Sequence, residues 1–263
     1  MQQQQEVNRI SFSELKNWKE CPYRHKLVHI DKLPYFEGNE YTAFGTAMHS
    51  VCEELILDDS KDSLNLFLQN FEKEISLLKK SGLSINQGLV SEMKEQAIPI
   101  CKQAIPAVKG YFKDFKVVSV EELLLEPINE FDSFGKNFKG FIDLVLQTED
   151  GNYHIIDWKT CSWGWNAQKK SDPMTTYQLV YYKNYFSKKH NIDPKLINTY
   201  FALLKRTAKK DNVEIVRVTS GTKKVQNSLK VLQNAVINIE NKNFVKNRLN
   251  CKYCKFKNTE YCK

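Results

Sequence analysis

The chain carries 263 residues, 41% of them hydrophobic and 12% aromatic, which is ordinary globular material with enough apolar side chains for a core. Its 39 basic and 31 acidic residues leave a net charge of +8, a mild excess that suits a polyanionic partner. No apolar run approaches a membrane span and the opening MQQQQEVNR lacks a signal-peptide core, so the seven cysteines read as cytoplasmic thiols or metal ligands, not a disulfide scaffold.

Residues 1–9, with the glutamine run, read as a disordered tail, and residues 10–263 as a single domain. Ser11 and Glu14 have the spacing of a capping box, and Ile10 with Leu15 that of a hydrophobic staple. The helix they start is expected to run to Glu20 and stop at Cys21-Pro22. A lone Cys21 is most simply a small buried residue. Ala43 to Leu57 is a second helix with Phe44, Ala47, Met48, Val51 and Leu55 as its apolar stripe, while Gly45, His49 and Glu53 fall on another line. Asp62 to Lys80 is amphipathic. Gln87 to Phe115 reads as a helical tract broken near Pro99 and Pro106. Together they form a helical insertion at about 60–115. Cys52 and Cys101 have no patterned partner and are expected in the core. Val117 to Ile128 reads as the first core strand, with Glu121 and Glu122 at either a solvated edge or the site.

The segment from Gly140 to Thr160, GFIDLVLQTEDGNYHIIDWKT, has the pattern of a β-hairpin. Two apolar runs flank Glu149-Asp150-Gly151-Asn152, whose Asp-Gly and Gly-Asn pairs supply the positive φ of a tight turn. Alternation puts Asp157 and Lys159 on one face and Trp158 on the other, in a core. Asp143 can meet the first two from the neighbouring strand. An isolated Asp-x-Lys is usually solvated surface, but carboxylates in apolar strands cost free energy unless paired or ligated. Two carboxylates and a lysine so placed suit hydrolysis assisted by Mg²⁺ or Mn²⁺.

Beyond the hairpin, Trp163 and Trp165 suit either base stacking or packing at the sheet end. Tyr177 to His190 is a helix with Gln178 and Tyr182 on one face. Asn198 to Arg206 and Val213 to Val218 are strands joined by a basic turn, where Lys205, Arg206, Lys209 and Lys210 either track phosphates or form a solvated tip. Ser220 to Asn243 is a last amphipathic helix. Residues 244–263 hold Cys251-x-x-Cys254 and Cys262, a metal-site pattern in a reducing compartment.

Gly-Phe-Ile-Asp followed by Ile-Ile-Asp-Trp-Lys-Thr resembles the core of the PD-(D/E)XK nucleases, in their RecB-like branch. Gly45-x-x-x-His49 and Gln178-x-x-x-Tyr182 resemble that branch's flanking motifs, in the right order. Cys21-Pro22 with the three C-terminal cysteines resembles the [4Fe–4S] staple of AddB-type and CRISPR-adaptation nucleases. The gap between Cys254 and Cys262 is longer than usual, which makes Cys262 the weakest match.

The resemblance implies an α/β fold with a central mixed sheet flanked by helices, a restriction-endonuclease-like core whose termini are joined by the cysteine cluster. It implies His49, Asp143 and Asp157 as ligands of Mg²⁺ or Mn²⁺, the imidazole favouring Mn²⁺. Lys159 and Gln178 complete the catalytic set, with Tyr182 on DNA. By position alone, Glu53 either joins the site or simply orients His49, and Lys205 and Arg206 of the basic turn are the further candidate DNA contacts. Cys21, Cys251, Cys254 and Cys262 would hold [4Fe–4S] or, alternatively, Zn²⁺. The expected activity is a metal-dependent deoxyribonuclease, an exonuclease on single-stranded ends, with a protein partner in repair, CRISPR adaptation or phage replication. The alternatives are a catalytically weak DNA-binding or assembly subunit, an endonuclease, and a hydrolase of a small phosphoester.

Overall fold

The structure, a computed structural model, describes residues 8–35 and 37–263. Residues 1–7 of the expected tail lie outside that range. The other two are placed: Asn8 donates from its side chain to the Phe134 carbonyl at 3.0 Å, and Arg9 opens a strand. The contacts divide the chain into two compact units, one from the described residues of Met1–Phe36 with Leu123–Gly140 and Ser220–Lys263, the other from Glu37–Glu122 with Phe141–Thr219.

In the first unit β1 (Arg9–Ser11) leads into α1 (Phe12–Glu20), whose first turn is capped by Ser11 Oγ accepting from the Glu14 N–H at 3.2 Å. Only that half of the capping box forms in the described contacts, because Glu14 Oε1 bonds His25 Nε2 instead, at 2.9 Å. Cys21 ends α1 and begins α2 (Pro22–His25), with Pro22 where a helix needs no N–H. A π-helical turn, Lys26–Ile30, follows.

The second unit begins with α3 (Glu40–Leu57), α4 (Ser63–Lys80) and α5 (Gln87–Phe112), capped by Asn39, Asp62 and Asn86. The helix break expected at the prolines does not occur. α5 runs through both Pro99 and Pro106. An interior proline costs about 3 kcal/mol, but the face carrying Ala97, Ile100, Cys101, Ala104, Ile105 and Val108 is buried, and each large aliphatic there returns roughly 1.5–3 kcal/mol.

The strands are β2 (Phe115–Pro127), β3 (Asn137–Thr148), β4 (Tyr153–Cys161), β5 (Ile197–Lys205) and β6 (Val213–Val218). They form a mixed sheet in the order β1-β3-β4-β5-β6, with β2 also paired to β3. β2 is not the core strand expected from its Val and Leu content, since Leu124 alone of its residues is buried. The β3–β4 hairpin is antiparallel, with Leu144 opposite Ile156 and Gln147 opposite Tyr153. Its turn depends on Gly151 at φ +80°. β4 and β5 are parallel, joined by α6 (Ala167–Ser171) and α7 (Pro173–His190). Leu144, Leu146, Ile156, Trp158, Ala202 and Leu204 share one core with α3, α4 and α5, while α7 packs on β4 and β5. α8 (Thr222–Glu240) packs with α1 in the first unit.

Candidate active site

The β3–β4 ladder ends at Leu144 and Ile156 in the recorded register. Just beyond it the Trp158 N–H donates to Asp143 Oδ2 at 2.7 Å. A side-chain carboxylate thus takes a bond that a backbone carbonyl makes elsewhere in the sheet. Asp143 and Asp157 are both buried, at 7% and 1% exposure, and alternation puts them on the same face. Trp158 points the opposite way and is wholly buried in the core, as its strand position predicted.

Lys159 Nζ pairs with Asp157 Oδ2 at 2.5 Å. Gln178 Nε2, reaching from α7, donates to Asp157 Oδ1 at 2.9 Å and to the Tyr182 hydroxyl at 3.0 Å. His49 Nδ1, on α3, lies 3.5 Å from Asp143 Oδ2. The helix lies beside the strand at Gly45, where a Cβ would stand 3.4 Å from Thr160 Oγ1, an ordinary contact. Thus His49, Asp143, Asp157, Lys159, Gln178 and Tyr182, scattered over three parts of the sequence, meet in one unit.

The charges are set by burial. Burial holds the His49 pKa down at about 4, against the opposing pull of Asp157, so the ring is neutral at physiological pH. Burial, with Asp157 adding to it, raises Asp143 well above the usual carboxylate range. For Lys159 burial works against the charge, but Asp157 and Asp143 outweigh it and raise its pKa. Tyr182 is also raised, chiefly by burial, and remains a neutral phenol.

Other candidates take different places. Glu53 does not reach His49 in the described contacts; it bonds the Glu121 side chain, and burial together with that neighbour raises its pKa to about 7. Glu121 has φ +49° in β2, a conformation costly for a side chain with a Cβ. Glu122 pairs with Lys189 and His190. Arg206 is held within the fold, stacked 4.9 Å over Tyr41 and bonded to Gln96, while Lys205 lies 3.7 Å from Glu214. Lys209 and Lys210 are exposed. The two tryptophans divide between the alternatives, Trp163 being 77% exposed and Trp165 packing edge-on against Phe201.

The family model of the PD-(D/E)XK nuclease superfamily matches residues 9–262. The chain belongs to the PD-(D/E)XK nuclease superfamily. No curated protein sequence matches it. A crystal structure from Eubacterium rectale, provisionally assigned as an exonuclease, superposes with a TM-score of 0.60 at 13% identity, covering 97% of this chain and 92% of its own. At that identity the likeness is one of fold. The structure of SSO0001 aligns at 16% identity over 93% of this chain and 92% of its own, with a TM-score of 0.37 that carries no argument. In this nuclease the mixed sheet flanked by helices is thus the sheet of its family, and no helix among the described residues is long and apolar enough to cross a membrane.

Six of the seven cysteines of the nuclease fall into two groups, and Cys161, at the end of β4, stands apart from both. Cys52 and Cys101 are buried in the second unit's core, where burial raises both thiols, that of Cys101 to about 12. Cys21, Cys251, Cys254 and Cys262, all free thiols, line one cavity of about 200 Å³ in the first unit. The two ends of the chain meet around it. The Asn247 N–H donates to Cys21 Sγ at 3.4 Å, Asn247 and Asn250 side chains donate to the Glu20 carbonyl, and the Tyr23 N–H donates to the Val245 carbonyl. Among the described residues no group of three or more His, Cys, Asp or Glu side chains is placed to hold a metal ion. Four thiols nonetheless border one space, and thiolate is the ligand type that thiophilic metals take.

Two residues here escaped the sequence reading. Arg24 lines the cysteine cavity, and Tyr35 accepts from its Nη1 at 3.3 Å. The only local signal was the aromatic and basic run after Cys21-Pro22.

Proposed function

We propose that the chain is a divalent-metal-dependent deoxyribonuclease of the RecB-like branch, working as an exonuclease from single-stranded ends. One observation carries the reading: a neutral His49, two buried carboxylates and the Lys159 ammonium converge within a single compact unit. The side chains of His49 and Lys159 keep 27% and 31% exposure, so substrate can reach the site.

His49, Asp143 and Asp157 would hold Mg²⁺ or Mn²⁺. Such an ion polarises a phosphate oxygen and lowers the pKa of water, which supplies the nucleophile. The protein's own groups do the positioning. The Trp158 N–H fixes Asp143, and Gln178 fixes Asp157 while leaving its second oxygen to Lys159. Lys159 offsets the negative charge that grows on the phosphate as the bond breaks. Exposed Trp163 offers a stacking surface for an unpaired base, and Lys209 and Lys210 offer phosphate contacts. The Eubacterium rectale neighbour's assignment as an exonuclease is consistent with action from ends.

The four cavity cysteines are assigned a structural [4Fe–4S] cluster, with tetrathiolate Zn²⁺ as the alternative. The cluster is preferred to zinc on the resemblance of the cysteine pattern alone. Its role is to tie the chain ends together, not to act on DNA.

The deciding assay uses end-labelled linear single strands, circular single strands and duplexes with Mg²⁺, Mn²⁺ or EDTA. Linear single strands are expected to be degraded with metal and to survive in EDTA, and circles are expected to survive throughout. Cleavage undiminished in EDTA would remove the metal from the mechanism. Nicking of circles would replace exonuclease with endonuclease.

A further inference from the structure

We infer that Arg24 is the charge partner of the cysteine-bound metal group, its Nε–H donating to the Cys254 thiolate. The inference rests on the reading of the four cysteines as a metal site, and its observations are separate from the cysteine pattern. Arg24 is only 7% exposed. Its guanidinium is held by an ion pair with Glu20, by the hydrogen bond to the Tyr35 hydroxyl, and by stacking 5.3 Å above the Tyr35 ring. Those contacts use its two terminal nitrogens. The remaining donor, Nε, is buried and has no hydrogen-bond partner. Leaving such a donor unmet costs about 1–3 kcal/mol, and more on a charged group.

Cys254 is the candidate acceptor. Arg24 lines the same cavity as Cys21, Cys251, Cys254 and Cys262, and it interacts electrostatically with Cys254. Four thiolates around either a [4Fe–4S]²⁺ core or Zn²⁺ carry a formal charge of about −2, and a half-buried anion of that kind requires a nearby cation or donor. Glu20 and Tyr35 occupy the two terminal nitrogens, so Nε is the donor left for sulfur. Arginine suits this better than lysine, because its planar fork keeps one edge anchored while the other donates.

The test compares the anaerobically purified full chain with Arg24→Gln and Arg24→Lys. Iron and zinc are measured first, in the wild type and in Cys254→Ser. Next come the release of metal to a chelator and, for iron, a redox titration. Arg24→Gln should keep its metal but lose it about tenfold faster. Removing the donor should also disfavour the more negative reduced cluster, by about tenfold, or ~59 mV for one electron. Arg24→Lys, which keeps the charge and loses the Nε–H, should fall between. A wild type without metal overturns the cysteine reading and the inference with it. A loaded wild type whose Arg24 variants match it in release and potential overturns the inference alone. If Arg24→Gln does not fold, Arg24→Lys decides by the same two readouts.

Discussion

The Trp158 backbone N–H bonds the Asp143 carboxylate at 2.7 Å, across the gap where the β3–β4 ladder ends. A bond normally used for sheet stability instead orients a group of the candidate site. The rest of Trp158 is wholly buried, so a core side chain anchors the N–H that aims Asp143. The arrangement separates what two substitutions at Asp143 will do.

Asp143→Asn keeps an acceptor for Trp158 but removes the charge. The Asp143 pKa is raised in the fold by burial and by Asp157, so this group's contribution is full below the ordinary carboxylate pKa and is lost as pH rises through the folded value. Without metal at neutral pH, Asp143→Asn should therefore melt higher than the wild type while cleaving at least ~10²-fold more slowly. Asp143→Ala should lose activity and also stability, by about 1–3 kcal/mol, because a buried N–H is left unmet. Thermal melts in EDTA separate the two. A lower melting point for Asp143→Asn would contradict the charge argument.

Lys159→Ala should abolish cleavage, by on the order of 10²-fold or more, with DNA binding nearly intact. The ammonium pairs with Asp157 in the site and is separate in the chain from the basic turn of Lys209 and Lys210. A variant that cuts at the wild-type rate in Mn²⁺ would remove Lys159 from the mechanism.

Metal binding should release a proton. His49, with its pKa held at about 4, is already neutral at pH 7, whereas Asp143 is raised and gives up its proton on ligation. Mn²⁺ affinity should therefore rise with pH across the range where Asp143 titrates. Calorimetry in buffers of different ionisation enthalpy should find about one proton released per ion below that range. Uptake of a proton, or none at any pH, would contradict this assignment.

Gln178→Ala should lower cleavage more than DNA binding, since Gln178 positions Asp157 and Tyr182 from within the unit. Binding itself should fall steeply with salt, because phosphate contacts release counterions. A salt-independent affinity would point to a small phosphoester substrate.

Protein purified without oxygen should be brown if the cavity holds [4Fe–4S]. Cys21→Ala should lose the colour and destabilise the junction of the chain ends, which depends on contacts around Cys21. Cys101→Ala should keep the colour, its thiol lying in the other unit's core. About one zinc and no iron would favour the tetrathiolate site.

Local order along the chain was enough to identify the hairpin, its Asp-Gly turn, the shared face of Asp143, Asp157 and Lys159, and the opposed burial of Trp158. It was also enough for the cap at Ser11 and the stop at Cys21-Pro22. Such features depend on periodicities of two and 3.6 residues and on turn chemistry, which a sequence states directly. What it does not state is which distant partner each polar group finds. Proline spacing predicted a broken helix, and burial of one long face kept α5 whole. Helical spacing aimed Glu53 at His49, and the strand carrying Glu121 took it instead. Arg206 read as either a phosphate contact or part of a solvated tip, and its partners in the fold are Tyr41 and Gln96. Only the tertiary structure decided these pairings. The energy of a buried charge depends on the neighbours that desolvate and compensate it, and those come from remote segments.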